Sequence, residues 1–175
     1  MIGEPGIPGL KKRALDLGCS VGRKAFELGC FFEEVVGIDT SARFIKVAMQ
    51  IHKNGKAKYQ IKVEGDLFQY YEIILSKLID IDKTANIIFQ QGDLCNLDKK
   101  IGSYDLVVAS NIIENISDPE QFLNNIDKFI NSGGYLIITS PYTWQEKYTA
   151  KDNWLGGYKC TDGENVTTLS GIKKV

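Results

Sequence analysis

Histidine is almost missing. The chain's 175 residues include 1, His52. That excludes Ser-His-Asp hydrolysis and most His-built metal sites, because both need imidazoles at the reacting centre. His52 falls late in an expected helix and reads as a surface or last-turn residue. The 4 cysteines, Cys19, Cys30, Cys95 and Cys160, have no Cys-x-x-Cys spacing, which argues against a zinc knuckle or a dithiol redox centre. Met1-Ile2-Gly3-Glu4-Pro5 does not read as a signal peptide, so reduced thiols in the cytoplasm are expected. No apolar run approaches the roughly 18 residues of a membrane span. A net charge of -1, with lysines spread along the chain, leaves no field to recruit nucleic acid or anionic lipid. There is no internal repeat and no low-complexity tract. What remains is 43% hydrophobic and 25% charged, the balance of a globular domain with its own core.

Strand and helix patterns alternate, which predicts an α/β fold with an open, mostly parallel sheet. Strands are expected at 13–17, 34–38, 86–90, 104–110 and 135–139. Thr40 or Ser41 caps a helix to about Lys53, with Phe44, Ile45, Ala48 and Ile51 at helical spacing and Asn54-Gly55 as its stop. A second helix opens at Asp118-Pro119 and buries Phe122, Leu123, Ile126, Phe129 and Ile130, ending in Asn131-Ser132-Gly133-Gly134. Tyr59, Ile61 and Val63 alternate with polar residues like a half-buried edge strand. The stretch 56–83 reads as an insertion, a hairpin being one form. Thr168 or Ser170 caps a short last helix. Sheets of this class commonly continue through another helix and an antiparallel strand pair, so a single domain over 1–175, incomplete at its C-terminus, is expected.

The most informative segment is Arg13-Ala14-Leu15-Asp16-Leu17-Gly18-Cys19-Ser20-Val21-Gly22-Arg23. An apolar strand ends in an acid and opens into glycines, which allow a tight turn and close backbone approach to a ligand. Val35-Val36-Gly37-Ile38-Asp39 ends in a second acid, and Gln91-Gly92-Asp93 supplies a third. A dinucleotide fingerprint asks for glycines at the first, third and sixth positions; starting at Gly18, Ser20 and Arg23 occupy the other two. A pyrophosphate also sits poorly near Asp16, whereas a positively charged sulfonium cofactor does not. The pattern resembles motif I of S-adenosylmethionine-dependent class I methyltransferases with a Rossmann-like fold, and the dehydrogenase reading is disfavoured. In that reading Asp16, Gly18, Cys19, Ser20 and Gly22 surround the amino-acid part of the cofactor. Asp39, with Thr40, holds the ribose, Asp93 takes the adenine amino group beside Leu94 and Cys95, and Ser110 and Asn111 close the floor. Blander roles stay open: Asp39 as a helix cap, Asp93 as a turn residue, Cys19 and Cys95 as small apolar fillers.

Further blocks narrow the resemblance. Phe26-Glu27-Leu28, Val36-Gly37-Ile38-Asp39-Thr40-Ser41-Ala42-Arg43-Phe44-Ile45 and Gln91-Gly92-Asp93-Leu94-Cys95-Asn96-Leu97 are similar to the mercaptohistidine N-methyltransferases of ovothiol biosynthesis. So are Ser140-Pro141-Tyr142-Thr143-Trp144 and Trp154-Leu155-Gly156-Gly157. The resemblance implies methyl transfer to an imidazole nitrogen of a small thiol-bearing histidine. It also implies association with, or fusion to, an iron-dependent sulfoxide synthase, whose iron one histidine cannot hold. Tyr142, Thr143, Trp144 and Trp154 are the acceptor-pocket candidates, with the alternative that the tryptophans simply cover the sheet's open end. Asn111-Ile112-Ile113-Glu114-Asn115 departs from the family's usual residues. A neutral imidazole needs no strong base, so no catalytic residue is assigned. A methyltransferase of another small molecule and an inactive cofactor-binding remnant are the alternatives.

Overall fold

A computed structural model describes residues 12–80 and 86–175. The start of the chain and residues 81–83 of the expected insertion lie outside the described residues. Strands β1 (Arg13–Leu17), β2 (Glu34–Asp39), β5 (Ile87–Gln91), β6 (Tyr104–Ser110) and β7 (Ile130–Thr139) form one sheet in the order β5-β2-β1-β6-β7. Every pairing in it is parallel. The order reverses between β1 and β6, and such a reversal opens a crevice at the carboxyl ends of the strands.

Alternation along β1 divides the core. Leu15 and Leu17 join Ile38, Val107, Phe122, Ile126 and Phe129 on the face covered by α3 (Pro119–Ile126). Ala14 joins Phe26, Val35, Ile45, Ala48 and Ile51 on the face covered by α1 (Arg23–Leu28) and α2 (Ala42–Asn54). The period of 2 therefore sends Asp16 to the α1 side, into the interior. Ser41 caps α2, accepting from the Phe44 amide at 3.3 Å, and Gly55 ends it in the left-handed region at φ 66°. His52 lies in the last turn, its ring against Phe26 and Phe89.

Three expectations are corrected. Tyr59, Ile61 and Val63 are all exposed, not half-buried. Their strand, β3 (Lys56–Glu64), pairs only with β4 (Leu67–Ile74), as an antiparallel ribbon outside the main sheet. The alternation is real, but beyond Ala57, Ile73 and Ile74 at its base neither face of the ribbon is covered. The second helix stops at Ile126. One 3-10 turn, Asp127–Phe129, follows, and strand pairing begins at Ile130 opposite Tyr104. The fully buried Tyr104 gives this early pairing an anchor, and the irregularity before Leu106 absorbs the glycines. The last helix, α4 (Thr168–Ile172), is capped by Thr167, whose Oγ1 accepts from the Ser170 amide; Thr168 is buried. A small hairpin, β8 (Tyr158–Lys159) with β9 (Asn165–Val166), precedes it.

Candidate active site

The turn after β1 spends four of its amides on the protein. Gly18 and Cys19 donate to the Ile38 carbonyl at 2.8 and 3.0 Å, Ser20 donates to Asp39 Oδ2 at 2.8 Å, and Gly22 donates to the Cys19 carbonyl at 2.9 Å. A phosphate cradle needs such amides free. Here they are spent on the protein, so the turn offers little to a pyrophosphate. Helix α1, which follows the turn, is only 6 residues long. Gly18 has φ 68°, and a Cβ there would lie 2.3 Å from Ile112 Cγ2, so the loop after β6 packs directly on the turn.

Asp16 is fully buried, and neither of its oxygens has a hydrogen-bond partner. Lys24 Nζ approaches Oδ1 at 3.6 Å. Burial pushes the carboxyl up to about 6; Lys24 and the Ala25 amide pull the other way more weakly. The positive charge beside this buried carboxylate is that of Lys24. Cys19, beside it, is buried and its thiol is raised to about 12, mainly by burial, which makes it a filler and not a nucleophile.

Asp39 combines the roles weighed for it. Oδ2 accepts from Ser20 and Oδ1 from the Ser41 amide at 2.8 Å, tying the turn to the start of α2. Each carboxylate oxygen keeps a second lone-pair direction. Thr40, next to it, is exposed. Asp39 pairs in register with Gln91, which brings Asp93 to the same end of the sheet. Asp93 is exposed and holds its turn by accepting from the Cys95 amide at 2.9 Å and from Asn96 Nδ2 at 2.7 Å. Leu94 and Cys95 are buried. Ser110 ends β6, and Asn111, at φ 55°, donates its amide to the Thr139 carbonyl at 2.7 Å.

Farther along the same edge, Glu114 is 1% exposed. Its Oε2 accepts from Ser140 Oγ at 2.7 Å and its Oε1 has no partner. Ser140 Oγ in turn accepts from the Tyr142 amide at 2.9 Å. Trp144 and Trp154 stack, with centroids 6.0 Å apart. Trp144 Nε1 donates to Thr168 Oγ1 and Trp154 Nε1 to the Thr149 carbonyl, while Thr149 Oγ1 donates to the Ile116 carbonyl. Thr143 is exposed.

A family model described as a methyltransferase domain matches residues 15–138. The chain belongs to this family. It is similar to the mitochondrial ubiquinone biosynthesis O-methyltransferase of Homo sapiens, 30% identical over 145 residues that cover 83% of this chain and 33% of that protein. The chain thus spans about a third of the length of this curated relative. Among solved structures it is similar to the YcgJ protein of Bacillus subtilis, with a TM-score of 0.51 and 18% identity over 72% of this chain and 42% of that one. It is likewise similar to PKMT2 from Rickettsia typhi in complex with AdoHcy, with a TM-score of 0.51 and 16% identity over 72% of this chain and 20% of that one. These structural likenesses carry the fold.

For this methyltransferase domain, then, the expected fold class holds. The family agrees with the cofactor read from the first turn, and the dehydrogenase alternative falls with the glycine spacing and the spent amides. The main sheet gathers Asp16, Gly18, Cys19, Ser20, Asp39, Asp93, Ser110 and Asn111 at one end. The two tryptophans spend their ring nitrogens on the protein. Sequence reasoning assigned no role to Lys24, Glu114 and Thr149. Lys24 sits one helical step after the motif, a signal available in the sequence. Glu114 and Thr149 become meaningful only through partners distant in the chain. Among the described residues no helix is long and apolar enough to cross a membrane.

Proposed function

We propose that this methyltransferase domain takes a methyl group from S-adenosylmethionine and passes it to an imidazole nitrogen of a small thiol-bearing histidine. The observation that carries the cofactor reading is Asp16, a buried carboxylate with Lys24 Nζ at 3.6 Å and no hydrogen bond, in a turn where the Gly18, Cys19, Ser20 and Gly22 amides are spent. Asp16 faces the cationic end of the cofactor, and Gly18, Cys19, Ser20 and Gly22 shape the wall beside it. Asp39 and Thr40 receive the ribose, Asp93 and Leu94 the adenine, and Ser110 with Asn111 close the floor. The cofactor supplies an already activated methyl group. The chain's own residues align donor and acceptor and exclude water. No residue is assigned as a base, because a neutral imidazole nitrogen is nucleophilic at neutral pH.

The acceptor reading is supported by the two late motifs, whose indoles stack so that residues 140–144 and 154–157 act as one unit. Such an acceptor implies an iron-dependent sulfoxide synthase as partner or fused neighbour, and the cytoplasm, where thiols stay reduced. A second reading, O-methylation of a phenolic acceptor, is favoured by the O-methyltransferases among the relatives. Label transfer from methyl-labelled cofactor to 5-thiohistidine, histidine and a catechol separates the two. Thiohistidine is expected to react, with histidine slower by about 10–200-fold. Equal rates for histidine, or label in the catechol alone, would overturn the assignment of acceptor while leaving the enzyme class intact.

A further inference from the structure

Beyond the carboxyl end of β7, a pocket of about 530 Å³ opens between the strap after Ser140 and the β8–β9 hairpin, lined by Tyr142, Tyr158, Lys159, Asn165, Thr167 and Thr168. It lies at the same end of the sheet as the Asp16–Gly22 turn, because β7 runs parallel to β6 and β6 to β1. Its wall is built with care. Tyr142 adopts φ 57°, a left-handed conformation that few non-glycine residues take. What holds it there is the relay from the Tyr142 amide to Ser140 Oγ and on to the buried Glu114 carboxylate. A strained residue held by a buried polar side chain is characteristic of a functional wall. Behind it, Trp144 Cδ1 lies 3.2 Å from where a Cβ on Gly157 would stand, so the indole and the hairpin are in close contact.

The charge in the pocket is Lys159. Nearby lysines are engaged: Lys147 lies over the Tyr148 ring and Lys151 over the Trp154 ring. Lys159 forms no ion pair among the described residues, although Asp162 and Glu164 share its hairpin. A lining that combines a lysine, two tyrosines and two threonines suits a planar ring that bears a carboxylate.

We propose that this pocket recognises the amino-acid end of the acceptor, with Lys159 pairing with its α-carboxylate and Tyr142 and Tyr158 flanking its ring. The inference rests on the acceptor reading above and narrows it to free amino acids, excluding decarboxylated amines as good substrates. Glu114 and Ser140 are positioning residues for the Tyr142 wall.

The test compares 5-thiohistidine with its decarboxylated amine, by calorimetric binding in the presence of S-adenosylhomocysteine and by steady-state methyl transfer. The proteins are the full chain, Lys159→Gln and Lys159→Arg; Lys159 is exposed, so the fold should tolerate both changes. Lys159→Gln should weaken thiohistidine binding and raise its KM about two- to fivefold, the scale of a solvent-accessible ion pair. Lys159→Arg should restore both, and the amine should bind alike to all three proteins. Unchanged thiohistidine affinity in Lys159→Gln, or an equal loss for the amine, would overturn the pocket assignment. Lysine-dependent binding without turnover would keep the pocket and remove the proposed chemistry. Turnover indifferent to Lys159 would do the reverse. No binding of either compound would remove both.

Discussion

Burying Asp16 costs the fold stability. Its carboxyl titrates near 6 in the folded chain, against an ordinary value of 3.8. Between those values the folded chain holds a proton that the unfolded chain has lost. Stability therefore falls as pH rises from about 4 to 6, and above that the burial costs on the order of 3 kcal/mol. Asp16→Asn should raise the ligand-free melting temperature at pH 8 by a few degrees, and the gain should shrink towards pH 5. The same variant should bind cofactor at least about tenfold more weakly, by loss of a charge-assisted contact. Thermal melts at the two pH values check it; no gain at pH 8 would mean the buried charge is already compensated. Asp16 and Asp39 were legible as acids at strand ends. That Asp16 would be left without a hydrogen bond was not, because that depends on which amides the turn uses for itself. Glu114 was noticed only as a departure, since a glutamate after two isoleucines reads equally well as solvated or buried until Ser140 is placed beside it.

At the scale of elements, the hairpin form of the β3–β4 ribbon was legible, but its exposure was not. Tyr59, Ile61 and Val63 have the period of a strand with one covered face, and period says nothing about which element does the covering. Tyr59 stacks on Tyr71 across the ribbon, and the ribbon's base closes where the Leu75 amide donates to the Gly55 carbonyl at 2.7 Å. That closure makes residues 56–74 nearly autonomous. Replacing 57–73 by a short glycine-serine turn should leave cofactor affinity unchanged and shift the melting temperature by no more than about 3 °C. Calorimetric titration and melting of the excised form check this. A large loss of either would mean that the ribbon supports α2 and the crevice beyond the contacts at its base. The helices, by contrast, were legible where caps and spacing agreed, as at Ser41 and Gly55. α3 was overrun because Phe129 keeps helical spacing into a 3-10 turn, and spacing does not tell the two apart.

The whole molecule is a parallel sheet whose strand order reverses beside its first turn. From that reversal come both the crevice and the convergence of Asp16, Asp39 and Asp93 at one end. The alternation of strands and helices made the class legible. The β8–β9 hairpin and its pocket were not, because Tyr158-Lys159 and Asn165-Val166 are each too short to carry a period. The central claim is that the crevice receives a cationic nucleoside cofactor and not a dinucleotide. Calorimetric titration of the chain with S-adenosylmethionine and with NAD, at pH 8 and pH 5, tests it most directly. One equivalent of S-adenosylmethionine should bind at pH 8, several-fold more weakly at pH 5 where Asp16 is protonated, and at least about tenfold more weakly in Asp39→Ala. NAD should not bind at either pH. Binding of NAD, or S-adenosylmethionine affinity indifferent both to pH and to Asp39, would contradict the account.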